Sequence, residues 1–151
     1  MSLELRRERP DAPAGRALFG AYLDLVRERL PGFEPTAEIF AEDADLGTWL
    51  VLYEDAEPVA CGGLLDHGSE VSEIKRVFVA EPARRRGHGR RIVRALEALA
   101  RETGHTRIRL YTTGVLGEAI EMYRGMGYRV ASVHAVDGRT DYWMEKRLPL
   151  G

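Results

Sequence analysis

Cysteine, asparagine and long apolar runs are what this chain lacks. A single cysteine, Cys61, leaves no internal disulfide available. No stretch reaches the roughly 18 consecutive apolar residues that would span a bilayer. The opening Met-Ser-Leu-Glu-Leu-Arg-Arg-Glu has no apolar heart of a signal peptide. A cytoplasmic protein is therefore expected. The formal net charge is only −2, which argues against a global pull toward nucleic acid. Two familiar phosphate loops are also missing. No Lys-Ser or Lys-Thr pair completes a G-x-x-x-x-G-K-S/T loop, and Ile92 stands where G-x-G-x-x-G needs its last glycine.

What is present suits one compact domain over residues 1–151. Hydrophobic residues make up 44% and charged residues 30%, ordinary values for a globular chain. Alternation predicts a first strand over Leu3 to Arg9. Leu18, Tyr22, Leu25, Val26 and Leu30 recur at helical spacing, so Pro13 to Leu30 reads as a helix ended by Pro31-Gly32. Pro35 to Ala44 reads as a shorter second helix. Strands follow over Thr48–Glu54, Pro58–Leu65 and Glu70–Val79, with Asp55-Ala56 and His67-Gly68-Ser69 as turns. Gly62 and Gly63 suggest a bulge or a close backbone approach. The central helix spans Gly87 to Thr103, with Ile92, Val93, Leu96, Leu99 and Ala100 on one face. Arg90, Arg91, Arg94, Glu97 and Arg101 fall largely on the other. A fifth strand (Arg107–Thr112), a helix (Leu116–Met126) and two last strands (Tyr128–Val133, Thr140–Leu148) joined at Asp137-Gly138 complete the chain. This is an α/β layer of sheet covered on both faces.

The densest chemistry lies in Glu73-Ile-Lys-Arg-Val-Phe-Val-Ala-Glu-Pro-Ala-Arg-Arg-Arg-Gly-His-Gly-Arg90. A strand runs into a glycine turn that opens a helix. The first N–H groups of a helix have no intrahelical partner, and its dipole favours an anion there. Gly87 and Gly89 clear side chains from that backbone, and Arg84, Arg85, Arg86 and Arg90 supply positive charge. A solvated arginine turn is the plainer reading, but such a turn needs no alternating glycines at a helix start.

Arg84-x-x-Gly87-x-Gly89 resembles the Q/R-x-x-G-x-G/A loop of the GNAT (Gcn5-related N-acetyltransferase) superfamily. Ala119-Ile-Glu-Met-Tyr-Arg-Gly-Met-Gly-Tyr128 resembles that family's A-x-x-L/M/F-Y-x-x-x-G-F/Y segment. The resemblance covers residues 70 to 130 well. It implies a mixed, mostly antiparallel sheet of six to seven strands that splays between strands 4 and 5 to admit the pantetheine of acetyl-CoA. It further implies contacts from the backbone of Val77, Phe78 and Val79 to the pantetheine. The pyrophosphate would be met by Arg84, Arg85, Arg86, Gly87, His88, Gly89 and Arg90, with His88 a loop residue and no metal needed. Tyr123 would aim its hydroxyl at the coenzyme sulfur, where a departing thiolate gains from a donor. The plainer reading makes Tyr123 a core residue.

Glu73 occupies the strand position where many relatives carry a base that takes a proton from the acceptor amine, directly or through water. An amine with a pKa near ~10.4 is mostly protonated at neutral pH, so that proton must leave. The alternative is an exposed glutamate paired with Lys75, with Glu70 as the substitute base. Many relatives also have an asparagine after the fifth strand. None exists here, which leaves Thr112 or Thr113 to replace its hydrogen bond. Trp49, Tyr53, His67, Asp141 and Tyr142 are equally open as acceptor-pocket or structural residues. The implied activity is transfer of an acetyl group to a primary amine on a small molecule or peptide. Direct attack is expected because Cys61 lies away from both motifs. The rivals are a non-catalytic acyl-CoA sensor and a nucleic-acid binder. Relatives often dimerise, so a homodimer is an open expectation.

Overall fold

The computed structural model describes residues 2–30, 45, 47–114, 117–136 and 138–149. The expected helix over 35–44 and the helix stop at Pro31-Gly32 lie outside them.

Strands β1 (Leu3–Arg7), β2 (Gly47–Glu54), β3 (Glu57–Asp66) and β4 (Val71–Val79) form an antiparallel meander. The β2–β3 turn is set by Asp55 and Ala56, both with positive φ (51° and 70°), as a tight hairpin of matching twist requires. Helix α1 (Pro13–Arg29) starts on a proline that suits a first helical turn. After β4, a short 3-10 turn (Glu81–Ala83) leads through the arginine loop into α2 (His88–Glu102). Strand β5 (Arg107–Thr113), helix α3 (Gly117–Gly125) and the β6–β7 hairpin (Arg129–Val136, Arg139–Arg147) follow. The sheet has seven strands in the order β1-β2-β3-β4-β5-β7-β6, and β4 with β5 is its parallel pair.

Alternation along the strands decides which layer each side chain joins. Leu50, Leu52, Ala60, Leu64, Ile74, Ile108, Leu110 and Met144 meet Ile92, Val93, Leu96 and Ala100 of α2 and Ile120 and Tyr123 of α3. Val51, Tyr53 and Phe78 point the other way, onto Leu18, Tyr22 and Leu25 of α1. Each fully buried Leu, Ile or Val is worth about 1.5–3 kcal/mol relative to exposure, so the α2 layer dominates the fold's stability. The paired glycines of β3 serve both layers. A Cβ on Gly62 would lie 2.6 Å from Ile92 of α2, and one on Gly63 would lie 2.3 Å from the Trp49 ring. Both are close approaches. The bulge itself falls on the partner strand. Cys61 faces Phe78 and Gly63 faces Lys75, so β4 carries one extra residue, and Arg76 takes a φ of +57° there.

Pairing between β4 and β5 runs only from Val71↔Arg107 to Ile74↔Leu110. Beyond that point β4 stays with β3 as far as Val79, while β5 stays with β7 as far as Thr113. The two strands splay apart, as the family resemblance implies.

Glu97 departs from the expected polar face of α2. It is 3% exposed, accepting a hydrogen bond from the Tyr128 hydroxyl at 2.7 Å and an ion pair from Lys146 Nζ at 3.2 Å. A charge buried this deeply must be paired, and both partners come from the C-terminal strands and the turn before them. Burial, and then the bond to Glu97, hold the Tyr128 hydroxyl protonated well above the usual range for tyrosine. Tyr128→Phe leaves Glu97 one partner short. It should cost about 1.5–3 kcal/mol, the range for a hydrogen bond to a charged group, read as a lower denaturant midpoint with an unchanged slope.

Candidate active site

The splay opens into a cleft of about 520 Å³ between the end of β4 and helices α1, α2 and α3. Every expected coenzyme contact except Arg86 lines it: Val77, Phe78 and Val79 from β4, and Arg84, Arg85, Gly87, His88, Gly89 and Arg90 from the loop and first turn of α2. Tyr123 of α3 lines it as well.

The loop is held in place by its own side chains. Arg84 Nε donates to the Val79 carbonyl at 3.0 Å. Gly87 is the N-cap of α2 with φ +80°, a conformation that costs a non-glycine residue about 1–2 kcal/mol. No side chain caps the helix, and its first turn carries no acidic residue. The leading N–H groups are thus left for an external anion. A Cβ on Gly89 would come 2.9 Å from Met122 Sδ on the cleft wall, so that flexible side chain would have to shift.

Arg86 turns away and pairs with Glu54 at the end of β2. The same carboxylate bonds Nε2 of His88 at 2.6 Å, and Arg91 Nη1 reaches His88 Nδ1 at 3.0 Å. His88 is 1% exposed, so it is a buried strut that ties the loop to the sheet. Sequence reading missed Glu54. Nothing in its own stretch marks it, because its partners lie more than thirty residues away.

Tyr123 is 6% exposed, its ring edge-on to Tyr128 with centroids 5.5 Å apart. Burial raises its hydroxyl pKa, which keeps the group a proton donor at neutral pH. Tyr123 is thus a core residue that also lines the cleft.

Glu73 lies on the opposite face of β4 from the Ile74 layer. It is 5% exposed, so it is not the solvent-facing strand glutamate of the plainer reading. Its Oε1 is 2.6 Å from His67 Nε2 and 3.8 Å from Arg109 Nη2, and its Oε2 is 3.7 Å from Lys75 Nζ. Glu70, the substitute, sits in the turn before β4 and accepts from Thr106 at 3.4 Å, apart from this cluster.

The other expected pocket residues separate. His67 joins Glu73. Asp141 is 1% exposed and accepts from Tyr111 at 2.6 Å and Arg139 at 3.1 Å. Burial pushes its carboxyl pKa up, but these bonds outweigh burial and leave it lowered. Trp49 is buried beneath Gly63, Tyr53 donates to Glu8 at 2.6 Å, and Tyr142 packs on the α2-side core. Thr112 is buried, whereas Thr113 stands opposite Asp141 in register. Arg109, Tyr111 and Trp143 complete the face around Glu73 and were not anticipated. They are the odd-numbered positions of β5 and β7, and period-two reading of those strands would have grouped them.

A β4–β5 splay with a glycine loop feeding a helix at its mouth defines an acyltransferase domain. Comparison with known proteins agrees. The model of the acetyltransferase (GNAT) family matches residues 14–128. A curated relative, "Probable N-acetyltransferase 14" of Xenopus tropicalis, is 32% identical over 85 residues, which are 54% of this chain and 40% of that protein's length. A Klebsiella pneumoniae structure described as an acyl-CoA N-acyltransferase superposes with a TM-score of 0.77 at 25% identity, covering 97% of both chains. A GNAT-family acetyltransferase from Staphylococcus aureus Mu50 shares the fold with a TM-score of 0.80 at 15% identity, covering 98% of this chain and 100% of that one. The chain belongs to the acetyltransferase (GNAT) family. No helix among the described residues is long and apolar enough to cross a membrane.

Cys61 is built to be inert. Its thiol donates to the Arg76 carbonyl at 3.6 Å, and burial pushes its pKa up to about 12. Only the thiolate is nucleophilic, so alkylation by iodoacetamide at pH 7.5 should run about 10³-fold slower in the folded protein than in the denatured chain. Mass spectrometry of timed aliquots reads the two rates.

Proposed function

We propose that the protein transfers an acetyl group from acetyl-CoA to a primary amine by direct attack. The observation that carries this reading is the single cleft in which the uncapped start of α2, the strand end Val77–Val79 and the Tyr123 side chain share one surface. The pyrophosphate would lie on the N–H groups after Gly87, with Arg84, Arg85 and Arg90 beside it. The pantetheine would follow β4 through the splay. A strand-end N–H, that of Phe78 or Val79, would polarise the thioester carbonyl.

Glu73 does not line the cleft, so it would take the ammonium proton through water. The free amine then attacks the carbonyl carbon. As the tetrahedral intermediate collapses, the C–S bond breaks and Tyr123 protonates or hydrogen-bonds the thiolate. The high pKa of Cys61 supports direct transfer over an acyl-cysteine intermediate. The presence of both Glu73 and Tyr123 favours an enzyme over a non-catalytic acyl-CoA sensor. A panel of amines assayed by free thiol release from acetyl-CoA tests the reading. A sensor would bind acetyl-CoA and release no thiol with any of them.

Two substitutions test the roles. Tyr123→Phe keeps the ring and removes the hydroxyl. It should lower turnover by about tenfold to a thousandfold while changing acetyl-CoA affinity by less than about 1.5 kcal/mol in calorimetric titration. Full activity in this variant would return Tyr123 to a purely packing role. Glu73→Gln should reduce turnover by about 10²–10⁴-fold at neutral pH, with affinity for acetyl-CoA nearly intact. Its deficit should shrink as pH rises and more of the amine is already neutral. Wild-type turnover at pH 7 would move proton removal elsewhere.

A further inference from the structure

On the face that carries Glu73, Arg109 has no acidic partner within hydrogen-bond distance among the described residues. It is the register partner of Glu73 across the parallel pair, one step before pairing ends at Ile74↔Leu110. It therefore stands at the mouth of the splay. Its nearest acidic contact, Glu73 Oε1, is 3.8 Å from Nη2, beyond hydrogen-bond range, and that oxygen already has His67 at 2.6 Å. The cross-strand carboxylate, Glu145, is engaged by Arg129 at 2.8 Å. Asp141 is engaged by Tyr111 and Arg139. Arg109 Nε is buried and has no hydrogen-bond partner among the described residues.

The group is nonetheless placed with care. The guanidinium lies 5.1 Å from the Trp143 ring centroid, which orients its plane, and the side chain is 40% exposed and so within reach of a ligand. The two Nη groups of the guanidinium form a planar fork that fits a carboxylate through two parallel N–H···O bonds. Tyr111 is 44% exposed, with its ring edge-on to Trp143 at 5.2 Å, and offers an apolar wall next to that fork.

We propose that Arg109 binds the carboxylate of the acceptor, and that the acceptor is a free amino acid whose amine lies toward Glu73. The proposal rests on the N-acetyltransferase reading above. The contact between Arg109 and Glu73 sets the span. The ammonium and carboxylate that meet them must be separated by only one or two carbons, as in an α- or β-amino acid. Tyr111 and Trp143 would face the acceptor's side chain and favour apolar and aromatic ones.

The test is a set of matched acceptors, such as phenylalanine against phenethylamine and leucine against isopentylamine. Each is assayed by thiol release and compared as kcat/KM per unprotonated amine. The wild-type protein should prefer the carboxylated member of each pair. In Arg109→Gln that preference ratio should fall by about 10²-fold, because the two bidentate bonds are lost. In Arg109→Lys, which keeps the charge without the fork, most of the fall should remain. Equal or better use of the decarboxylated amines by the wild-type protein would overturn the proposal while leaving the N-acetyltransferase reading intact. So would a preference ratio unchanged in both variants. Thiol release with no amine of either kind would sink both. The wild-type comparison decides even if a variant fails to fold.

Discussion

The end of pairing between β4 and β5 is the constraint on which the rest of the structure depends. Parallel strands held together along their length would leave no gap, and the cleft exists because the ladder stops at Ile74 and Leu110. Each strand then needs another partner for its backbone groups, since buried N–H and C=O groups must be satisfied. Strand β4 keeps β3, and β5 keeps β7, which enters the sheet between β5 and β6. The order of the last two strands follows from that need.

The bulge at Arg76 adds the second adjustment. Without the extra residue, the side chains of β4 beyond it would change faces. With it, Phe78 packs onto α1 while Val77 and Val79 line the α2-side core and the cleft. Gly62 and Gly63, directly across, let α2 and Trp49 close on the sheet at the same level. Glu54 then pins the loop that follows, through His88 and Arg86.

The sequence was most legible where local chemistry decides structure. Glycines at 87 and 89, the strand ahead of them and the amphipathic helix after them are all read within one continuous stretch from β4 to the end of α2, and the strand and helix ends fall within a few residues of expectation. The splay was implied by resemblance, because no periodicity in β4 or β5 announces where two strands part. Glu97 shows the opposite limit. On a helical wheel it belongs to the arginine face, and only Tyr128 and Lys146, brought in by later strands, make burial tolerable. Glu54 and Arg109 were illegible for the same reason. Their partners, His88 and Arg86 for Glu54 and Glu73 and Trp143 for Arg109, are supplied only by the folded register. His67 was weighed as a pocket residue, but its short contact with Glu73 depends on the hairpin turn between them.

Alternation along β5 and β7 has a consequence for how such a protein can diversify. Ile108, Leu110 and Met144 face the helices and hold the fold together, whereas Arg109, Tyr111 and Trp143 face away from them. A single nucleotide change at codon 109, 111 or 143 therefore alters the outer face with little change in core volume. The glycine loop, on a different stretch of chain, is untouched. One scaffold can sample new chemistry on one side at low thermodynamic risk, and a library built on those outward positions would retain most of its folded members.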